Sequence, residues 1–389
     1  MTHRIFVRCG PLLVLCGLLL LGAGVSGCGG ESKKSAPPAT AASTAVASVP
    51  PPTPPSSAAT PVAVPSSAAS ASPVTFSVLA GKSQGPMDIE MFMPAEIRIR
   101  EGDSIEWTAQ GFEGHSITFG TAQQIKDVFA EYLQPDPENA SQKIFNVKAS
   151  LQSPTGETFA GDEAFTNSGF IGVPAESKYK LTFAKRGTYE YLCLVHPFTM
   201  LGTVSVDAPD AKVDAPATVA ARGQADVARF VAVEQREIDD ANAVQRSFVG
   251  AGGSSIHRVA VGLTTPYGQI ATYVKPVLDA KAGDTVIFAS DDRDFHNVVF
   301  KGAKELPPGV GIRPDPAGRG GFILALSNES AIGVEPPPGF DDKTFMSSGS
   351  MGVTQSRLTW TLRFDKPGTY IYNCTIHVLA GMAGVVNVR

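Results

Sequence analysis

Cysteine and histidine are scarce in this sequence: its 389 residues include five cysteines and six histidines. Three of the cysteines and one of the histidines lie at or before Cys28, which leaves Cys193 and Cys374 as the cysteines of the remaining chain. So few cysteines exclude a disulfide-dense scaffold. So few histidines exclude any site that consumes many imidazole ligands.

Charged residues are also sparse. They make up 18% of the chain, and the formal net charge of −5 is opposite in sign to that of a nucleic-acid-binding protein. The hydrophobic content of 43% is enough to bury a core, and the length suits two domains with connecting segments. We therefore expect a globular protein with no nucleic-acid partner.

The chain begins with the layout of a signal peptide. Two arginines precede an apolar run over residues 11–25, which is short for a membrane span. The motif Val25-Ser-Gly-Cys28 resembles the bacterial lipobox, in which the signal is removed and the new N-terminal cysteine is acylated. Secretion without a lipid and an uncleaved anchor are the alternatives. We predict a signal peptide over residues 1–27, lipidation of Cys28, and a lipid-anchored location outside the cytoplasm, in the periplasm or at the cell surface.

The segment that follows, residues 28–72, consists of Ala, Pro, Ser and Thr almost throughout. Such a segment cannot bury enough apolar surface to offset its ordering entropy. Prolines keep the chain extended at ~3.1 Å per residue, so the segment could reach on the order of 130 Å. We predict a tether that holds a globular unit away from a membrane. Loss of the signal would take the net charge from −5 to −7, because it deletes two arginines and no acids.

The remainder of the chain repeats itself at a constant offset in residue number. This repeat offset relates three pairs of residues and the motifs around them: His115 with His296, Cys193 with Cys374, and His196 with His377, whose numbers differ by 181 in each case. The economical explanation is two copies of one domain, which we place at residues 73–207 (domain 1) and 255–389 (domain 2). Residues 120–164 and 301–344 look like insertions within them.

Each copy has the pattern of an all-β domain. Trp360, Leu362 and Phe364 alternate with polar residues, which indicates a strand with one buried face. Several such strands with polar turns predict a sandwich or a barrel. Between the copies, residues 208–254 carry apolar residues near helical spacing, which predicts a partly helical linker ended by glycines at 250–253. These residues are Val227, Phe230, Val231, Ile238, Ala241, Val244 and Phe248.

A cysteine, a histidine three residues later and then a methionine stand near the end of each copy. A second histidine stands well before the cysteine, and the same length of chain separates the two residues in both copies. A thiolate, two imidazoles and a weak axial thioether are the ligands that suit a mononuclear blue-copper site. The candidates are His115, Cys193, His196 and Met200 in domain 1, and His296, Cys374, His377 and Met382 in domain 2.

On these motifs both copies resemble the cupredoxins of the plastocyanin/azurin family. The segments Phe295-His-Asn-Val-Val-Phe300 and Cys374-x2-His377-x4-Met382 carry the closest resemblance. The resemblance implies a Greek-key β-sandwich in each copy, two type 1 copper centres with the ligands above, and loop histidines at the solvent edge where electrons enter and leave. Domain 1 departs from the pattern, since three residues rather than four separate His196 from Met200.

Other interpretations of these residues remain open. Cys193 and Cys374 would often form a disulfide in an oxidising compartment, although they occupy equivalent positions in two separate copies. The methionines could fill the core. Copper oxidases and copper nitrite reductases also use cupredoxin repeats, but they need extra histidines, typically in His-x-His pairs. No such pair exists here, and beyond the four assigned histidines only His257 is left after the signal region. We therefore predict that the chain is not an enzyme.

The function we expect is that of a membrane-tethered electron-transfer protein that shuttles single electrons between extracytoplasmic redox partners. Cytochromes or a terminal oxidase or reductase would be such partners, and apolar residues at 197–198 and 378–379 would permit weak docking. The alternative is a copper-binding or copper-delivery protein without redox turnover. A structural module that has lost its metal is a third hypothesis, which the intact ligand sets disfavour.

Overall fold

The structure, a computed structural model, describes residues 72–130, 133–136, 143–145, 156–172, 177–314, 322–352 and 357–389. The predicted signal peptide, the predicted lipidation site Cys28 and all but the last residue of the predicted tether lie outside these ranges. Both copies of the repeat belong to one compact unit. Across the described ranges, no helix combines the length and the apolar character needed to cross a membrane.

Domain 1 is built mainly of strands. They are β1 (Thr75–Gln84), β2 (Met87–Met93), β3 (Glu96–Arg100), β4 (Ser104–Gln110), β5 (Thr118–Phe119), β6 (Leu133–Pro135), β7 (Lys143–Phe145), β8 (Thr158–Phe159), β9 (Thr166–Asn167), β10 (Ser177–Phe183), β11 (Gly187–Leu192) and β12 (Leu201–Asp207). One short helix, α1 (Ala122–Ala130), lies between β5 and β6.

The linker holds helix α2 (Pro216–Ala243), strand β13 (Ser247–Val249) and a short 3-10 helix (Ala251–Gly253). The strands of domain 2 are β14 (Ser255–Thr264), β15 (Gly268–Val274), β16 (Val277–Ala280), β17 (Asp284–Ala289), β18 (Val299–Phe300), β19 (Val310–Pro314), β20 (Phe322–Leu326), β21 (Met346–Ser347), β22 (Thr359–Phe364), β23 (Gly368–Asn373) and β24 (Ala383–Val388). Helix α3 (Asn328–Ala331) and a 3-10 helix (Val378–Ala380) are also present.

Each copy folds as two sheets around its own core. In domain 1, β1, β2, β4, β10 and β8 form one sheet and β3, β12, β11, β5 and β9 form the other. Domain 2 repeats this with β14, β15, β17 and β22 facing β16, β24, β23, β18 and β21. The alternation in β22 is present as predicted, because Trp360, Leu362 and Phe364 are buried and the residues between them are exposed. The predicted fold class, two β-sandwiches joined by a partly helical linker, is confirmed.

The two copies are joined by a strand pair that follows a local two-fold axis. Strands β2 and β15 pair antiparallel, with Asp88 opposite Gln269. These two residues are separated by the repeat offset, so each strand meets its own repeat equivalent, as an isologous interface requires. Strands β7 and β20, from the two predicted insertions, pair in the same way, with Ile144 opposite its equivalent Ala325. The insertions therefore contribute to the contact between the copies.

The linker helix packs against both copies. Pro216 begins α2, where its missing N–H costs no helical hydrogen bond. Phe230 lies against Tyr267 of domain 2, with ring centroids 4.1 Å apart, and shares an apolar cluster with Ile89 and Met93 of domain 1. The helix is shorter than the pattern predicted.

The helix ends at Ala243 because the backbone becomes extended at Val244. The chain then adds β13 to the edge of β14. Val244 and Phe248 consequently have 52% of their surface exposed and do not extend the apolar face of α2.

Candidate metal centres

The loop after the penultimate strand of each sandwich carries three of the predicted ligands. Cys193 follows β11 directly, and Met200 directly precedes β12. The backbone closes this loop by itself: Cys193 N–H donates to the Met200 carbonyl at 3.0 Å, and Met200 N–H donates to the His196 carbonyl at 3.0 Å. Domain 2 makes the same two bonds, at 2.9 Å from Cys374 and at 3.3 Å from Met382. The loop geometry is therefore set by main-chain bonds.

The remaining histidine of each set comes from the segment after β4 or β17. Its backbone is fixed by a bridge, His115 with Ile171 and His296 with Met351. The next residue ties this segment to the cysteine loop: the Ser116 hydroxyl accepts the Leu194 N–H at 2.8 Å. In domain 2 the Asn297 side-chain carbonyl accepts the Thr375 N–H, also at 2.8 Å. The Ser-to-Asn difference between the copies thus preserves the connection.

In both domains the structure brings the predicted nitrogen and sulfur donors together. One donor atom from each of His115, Cys193 and His196 lies within 4.8 Å of the others, and all three residues are buried. The same holds for the domain 2 set, His296, Cys374 and His377. The Sγ-to-Nδ1 distance along the loop is 3.9 Å in domain 1 and 3.5 Å in domain 2. The cysteines are free, so the disulfide interpretation is wrong.

The donor sets fit a copper ion. The Nδ1 atom of His296 is buried and has no hydrogen-bond partner among the described residues. In domain 1 the Nδ1 atoms of His115 and His196 face each other at 3.2 Å. A buried imidazole nitrogen that has no partner, or only another imidazole nitrogen, indicates a site for a ligand that is able to bind it. Met200 and Met382 are buried in the same apolar clusters as Cys193 and Cys374, and their role as axial ligands stays a prediction.

The sequence model of the copper-binding proteins of the plastocyanin/azurin family matches residues 77–207 and 259–389. The chain belongs to this family. Each domain of this family member carries a His-Cys-His donor set, and the chain accordingly has two copper centres, one per domain. A search of curated protein sequences gave no significant match.

Solved structures of amicyanin are similar to parts of the chain. A mutant amicyanin in its reduced Cu(I) form at pH 4 is 20% identical, and the match covers 34% of this chain and 82% of that one with a TM-score of 0.21. A second mutant in the Cu(I) form is 21% identical over the same shares, also with a TM-score of 0.21. Amicyanin from Paracoccus versutus (Thiobacillus versutus) is 19% identical over 34% and 81% of the two chains, with a TM-score of 0.20.

The domain 2 centre is surrounded by carboxylates. His296 Nε2 lies 3.0 Å from Asp292 Oδ2, and His377 Nε2 lies 3.2 Å from Glu113 Oε1 of domain 1. Burial alone raises the pKa of the Cys374 thiol, but the adjacent imidazoles of His296 and His377 favour the thiolate and lower the pKa to about 5. Burial lowers the pKa of His296, but the hydrogen bond to Asp292 and the proximity of the Cys374 sulfur more than offset this and raise it to about 9. The thiolate, the form that binds a metal, is therefore favoured.

The domain 1 centre has the opposite electrostatic character. Burial raises the pKa of the Cys193 thiol to about 11 and lowers that of His115 to about 4. One difference between the copies bears on His115: Gly111 stands where domain 2 has Asp292, so His115 lacks the carboxylate that bonds His296. His115 Nε2 consequently has no hydrogen-bond partner among the described residues. The two centres share ligand types and differ in the charge around them.

The loop histidines are buried, in contrast to the solvent-edge position that the family resemblance implied. His196 is 6% exposed and His377 is 3% exposed. The other copy covers part of this surface: from domain 1, Glu113 bonds His377 and the Phe112 ring stands edge-on to its imidazole at 6.4 Å. Contact between the two copies therefore contributes to the burial of His377.

Two glycines shape the centres and were missed in the sequence. A Cβ atom on Gly81 would lie 2.1 Å from His115 Nε2, and one on Gly262 would lie 2.1 Å from His296 Nε2. The two glycines are equivalent positions of the two copies, so the repeat offset was the signal that could have found them. Asp292 could have been found from its position four residues before His296. Glu113 could not, because its role depends on how the copies dock.

Proposed function

We propose that the chain is a membrane-tethered electron-transfer protein with two type 1 copper centres, which passes single electrons between redox proteins outside the cytoplasm. The observation that carries this proposal is the pair of buried His-Cys-His sets, each with donor atoms within 4.8 Å and a methionine closing the same loop. Copper bound there would supply one-electron chemistry by alternating between Cu(I) and Cu(II).

The protein's own residues would keep the geometry constant during this exchange. Main-chain bonds close each loop, and Ser116 or Asn297 fixes the loop to the first histidine segment. Burial of the donors excludes water from them. In domain 2, Asp292 accepts a hydrogen bond from the Nε2–H of His296, which leaves Nδ1 as the nitrogen available to a metal. A preorganised donor set of this kind needs little rearrangement.

The histidine inventory supports a carrier rather than an enzyme. His257 is the histidine left over between residues 28 and 389, and its imidazole is bonded to Ser247 and Asp284 in the β13–β14 region. A copper oxidase or nitrite reductase would need further imidazoles for a second type of copper site. We therefore propose that catalysis is not a function of this chain.

Exposed apolar side chains beside each loop supply a surface for brief contact with partners. Phe198 is 87% exposed next to the domain 1 loop, and Leu379 is 73% exposed next to the domain 2 loop. Small apolar contacts suit weak redox encounters. We propose cytochromes or a terminal oxidase or reductase as the partners. Lipidation at Cys28 and the tether predicted for residues 28–72 would let the domains reach such partners from the membrane.

The test is a visible absorption spectrum with a copper count on the soluble part of the chain after Cu(II) loading. We expect two coppers per chain and an intense blue band that a reductant bleaches and an oxidant restores. Cys193→Ser and Cys374→Ser form a matched pair, and each is expected to remove one copper's share of the band. Copper that is lost on dialysis, or a colourless protein, would contradict the proposal and favour the delivery hypothesis.

A further inference from the structure

A third group of potential metal ligands lies between the two domains. Glu90 from β2, His196 from the domain 1 loop and Asp294 from domain 2 place one donor atom each within 4.8 Å of the others. Glu90 and His196 are buried. The His196 atom nearest Glu90 is Nε2, at 4.0 Å from Oε1, whereas its Nδ1 faces His115 in the copper set. The two nitrogens of one imidazole therefore point to two different donor groups.

Unpartnered polar atoms adjoin this group. Asp88 is fully buried, and its Oδ2 atom has no hydrogen-bond partner among the described residues. Gln269 is 2% exposed, and in the same part of the structure neither its side-chain oxygen nor its nitrogen has a partner. Asp88 and Glu90 are two residues apart on β2, so they share a face, and Gln269 is the cross-strand neighbour of Asp88. Unused polar atoms thus converge on the side where Glu90 lies.

The carboxylates of this group lack a basic partner. Among the ion pairs of the described residues, none joins Asp88, Glu90 or Asp294 to a lysine or an arginine. Asp88 and Glu90 are buried and Asp294 is half-buried. A buried carboxylate without a counterion is costly, so it takes up a proton, pairs with a charge or holds a metal. Two carboxylates and an imidazole are a donor set that suits zinc and similar divalent ions.

We propose that Glu90, His196 and Asp294 bind a third metal ion, a divalent transition metal such as Zn²⁺, at the junction of the two domains. His196 would offer Nε2 to this ion and Nδ1 to the domain 1 copper, and binding would release to solvent the Nε2 proton and any proton held by the two carboxyl groups. No electron is gained or lost in the step. The ion also ties Asp294 of domain 2 to two ligands of domain 1.

The repeat predicts one such site rather than two. The equivalents of His196 and Asp294 under the repeat offset are His377 and Glu113, which do contact each other at 3.2 Å. The equivalent of Glu90 is Ala271, which offers no ligand. The domain 2 half of the junction therefore lacks the third donor.

The test is a metal count on the full chain after both copper centres have been filled, so that zinc cannot occupy them. The loaded protein is dialysed against Zn²⁺ and then against buffer alone, and the metals are counted. We expect two coppers and one zinc per chain. Zinc should also shift the blue band of the domain 1 centre, measured in Cys374→Ser, because His196 is shared. It should leave the domain 2 band, measured in Cys193→Ser, in place.

Variants distinguish zinc bound at this site from zinc bound loosely by other acidic residues. Glu90→Gln and Asp294→Asn are each expected to weaken zinc retention at least tenfold and to abolish the zinc-induced shift. Asp291→Asn is the matched control, since Asp291 is exposed and three residues from Asp294, and it should retain zinc. Wild-type protein without a stoichiometric zinc, or equal loss in the Asp291 variant, would overturn the inference. If Glu90→Gln does not fold, the wild-type count and Asp294→Asn decide.

The proposed function is judged separately, by whether the copper centres are blue and reversible. A chain that passes that test and retains no zinc would refute the third site alone. A chain that retains zinc at the junction and shows no reversible copper band would refute the electron-transfer proposal alone.

Discussion

Replacing Gly262 by alanine should disable the domain 2 copper centre without unfolding the domain. An added Cβ would lie 2.1 Å from His296 Nε2 and 2.4 Å from Asp292 Oδ2. Ordinary van der Waals contact begins at 3.4 Å, so the imidazole would have to move by about 1.3 Å. Its neighbour Asp292 cannot stay in place either, so the 3.0 Å hydrogen bond that orients the ring is lost as well.

Two effects of different size follow from this substitution. The backbone at Gly262 has φ +75°, and an alanine there costs about 1–2 kcal/mol of folding free energy. A metal site tolerates ligand displacements of about 0.5 Å, so a shift of the imidazole by more than twice that amount is the larger effect on copper. Loss of an orienting carboxylate alone typically lowers metal affinity by about 10- to 100-fold, and we expect a decrease of at least 100-fold here.

Gly283→Ala is the matched control for backbone strain. Gly283 has φ +92° in the same domain, and a Cβ there would meet nothing closer than the Arg363 guanidinium at 3.8 Å. Both variants are made in the Cys193→Ser background, so that the blue band reports domain 2 alone, and copper affinity is measured by competition with a chelator. The midpoint temperature of thermal unfolding should fall by similar amounts in the two variants. If Gly262→Ala kept a copper affinity within twofold of Gly283→Ala, the inferred role of this close approach would be refuted.

Two further predictions concern single carboxylates. Glu113→Gln exchanges the charged acceptor of the His377 N–H for a neutral one. Since charge-assisted hydrogen bonds are roughly twice as strong as neutral ones, copper affinity should fall about tenfold in domain 2 and stay constant in domain 1. Competition with a chelator measures both affinities. Glu234 on α2 is held against Thr265, and burial raises its pKa from 4.5 to about 8. The folded chain therefore binds this proton more tightly than the unfolded chain, and stability falls as pH rises from about 4.5 to about 8, by up to a few kcal/mol. Thermal unfolding of Glu234→Gln should lack that fall; an unchanged pH profile would contradict the assignment.

The sequence was sufficient for the β-sandwich fold of each copy and for its histidine and cysteine donors, but it did not point to the residues that shape their surroundings, such as Gly81 and Gly262. The repeat offset located both histidine and cysteine sets, and the alternation in residues 359–364 marked a half-buried strand. Ligand spacing is local: the cysteine and the loop histidine are three residues apart, and the loop between two strands brings them together in any sandwich of this kind. The resemblance to the plastocyanin/azurin family supplied the remaining connection, since it assigned a ligand role to His296, which is far from Cys374 in the sequence.

What the sequence could not show is how the copies meet. Asp88 and Glu90 are polar residues in a strand, and such residues are usually solvent-facing, so nothing local distinguishes them from a surface. Pairing of β2 with β15 buries them instead. The same docking covers His377 with Glu113. Contacts of this type depend on the match between two whole surfaces, and the pattern within a single strand does not encode them.

Duplication explains both the likeness and the difference of the two centres. Immediately after a duplication, both donor sets have the same surrounding residues. Docking about a two-fold axis keeps the two surroundings the same as long as equivalent positions carry the same residue. Here they diverge where charge matters most: Gly111 is the equivalent of Asp292, and Ala271 is the equivalent of Glu90. One carboxylate was thereby placed beside His296 and another beside His196. Since a buried charge acts strongly on a neighbouring imidazole, two sites with the same ligand types cannot hold protons or metals equally, and the asymmetry lies in the surroundings of the ligands rather than in the ligands themselves.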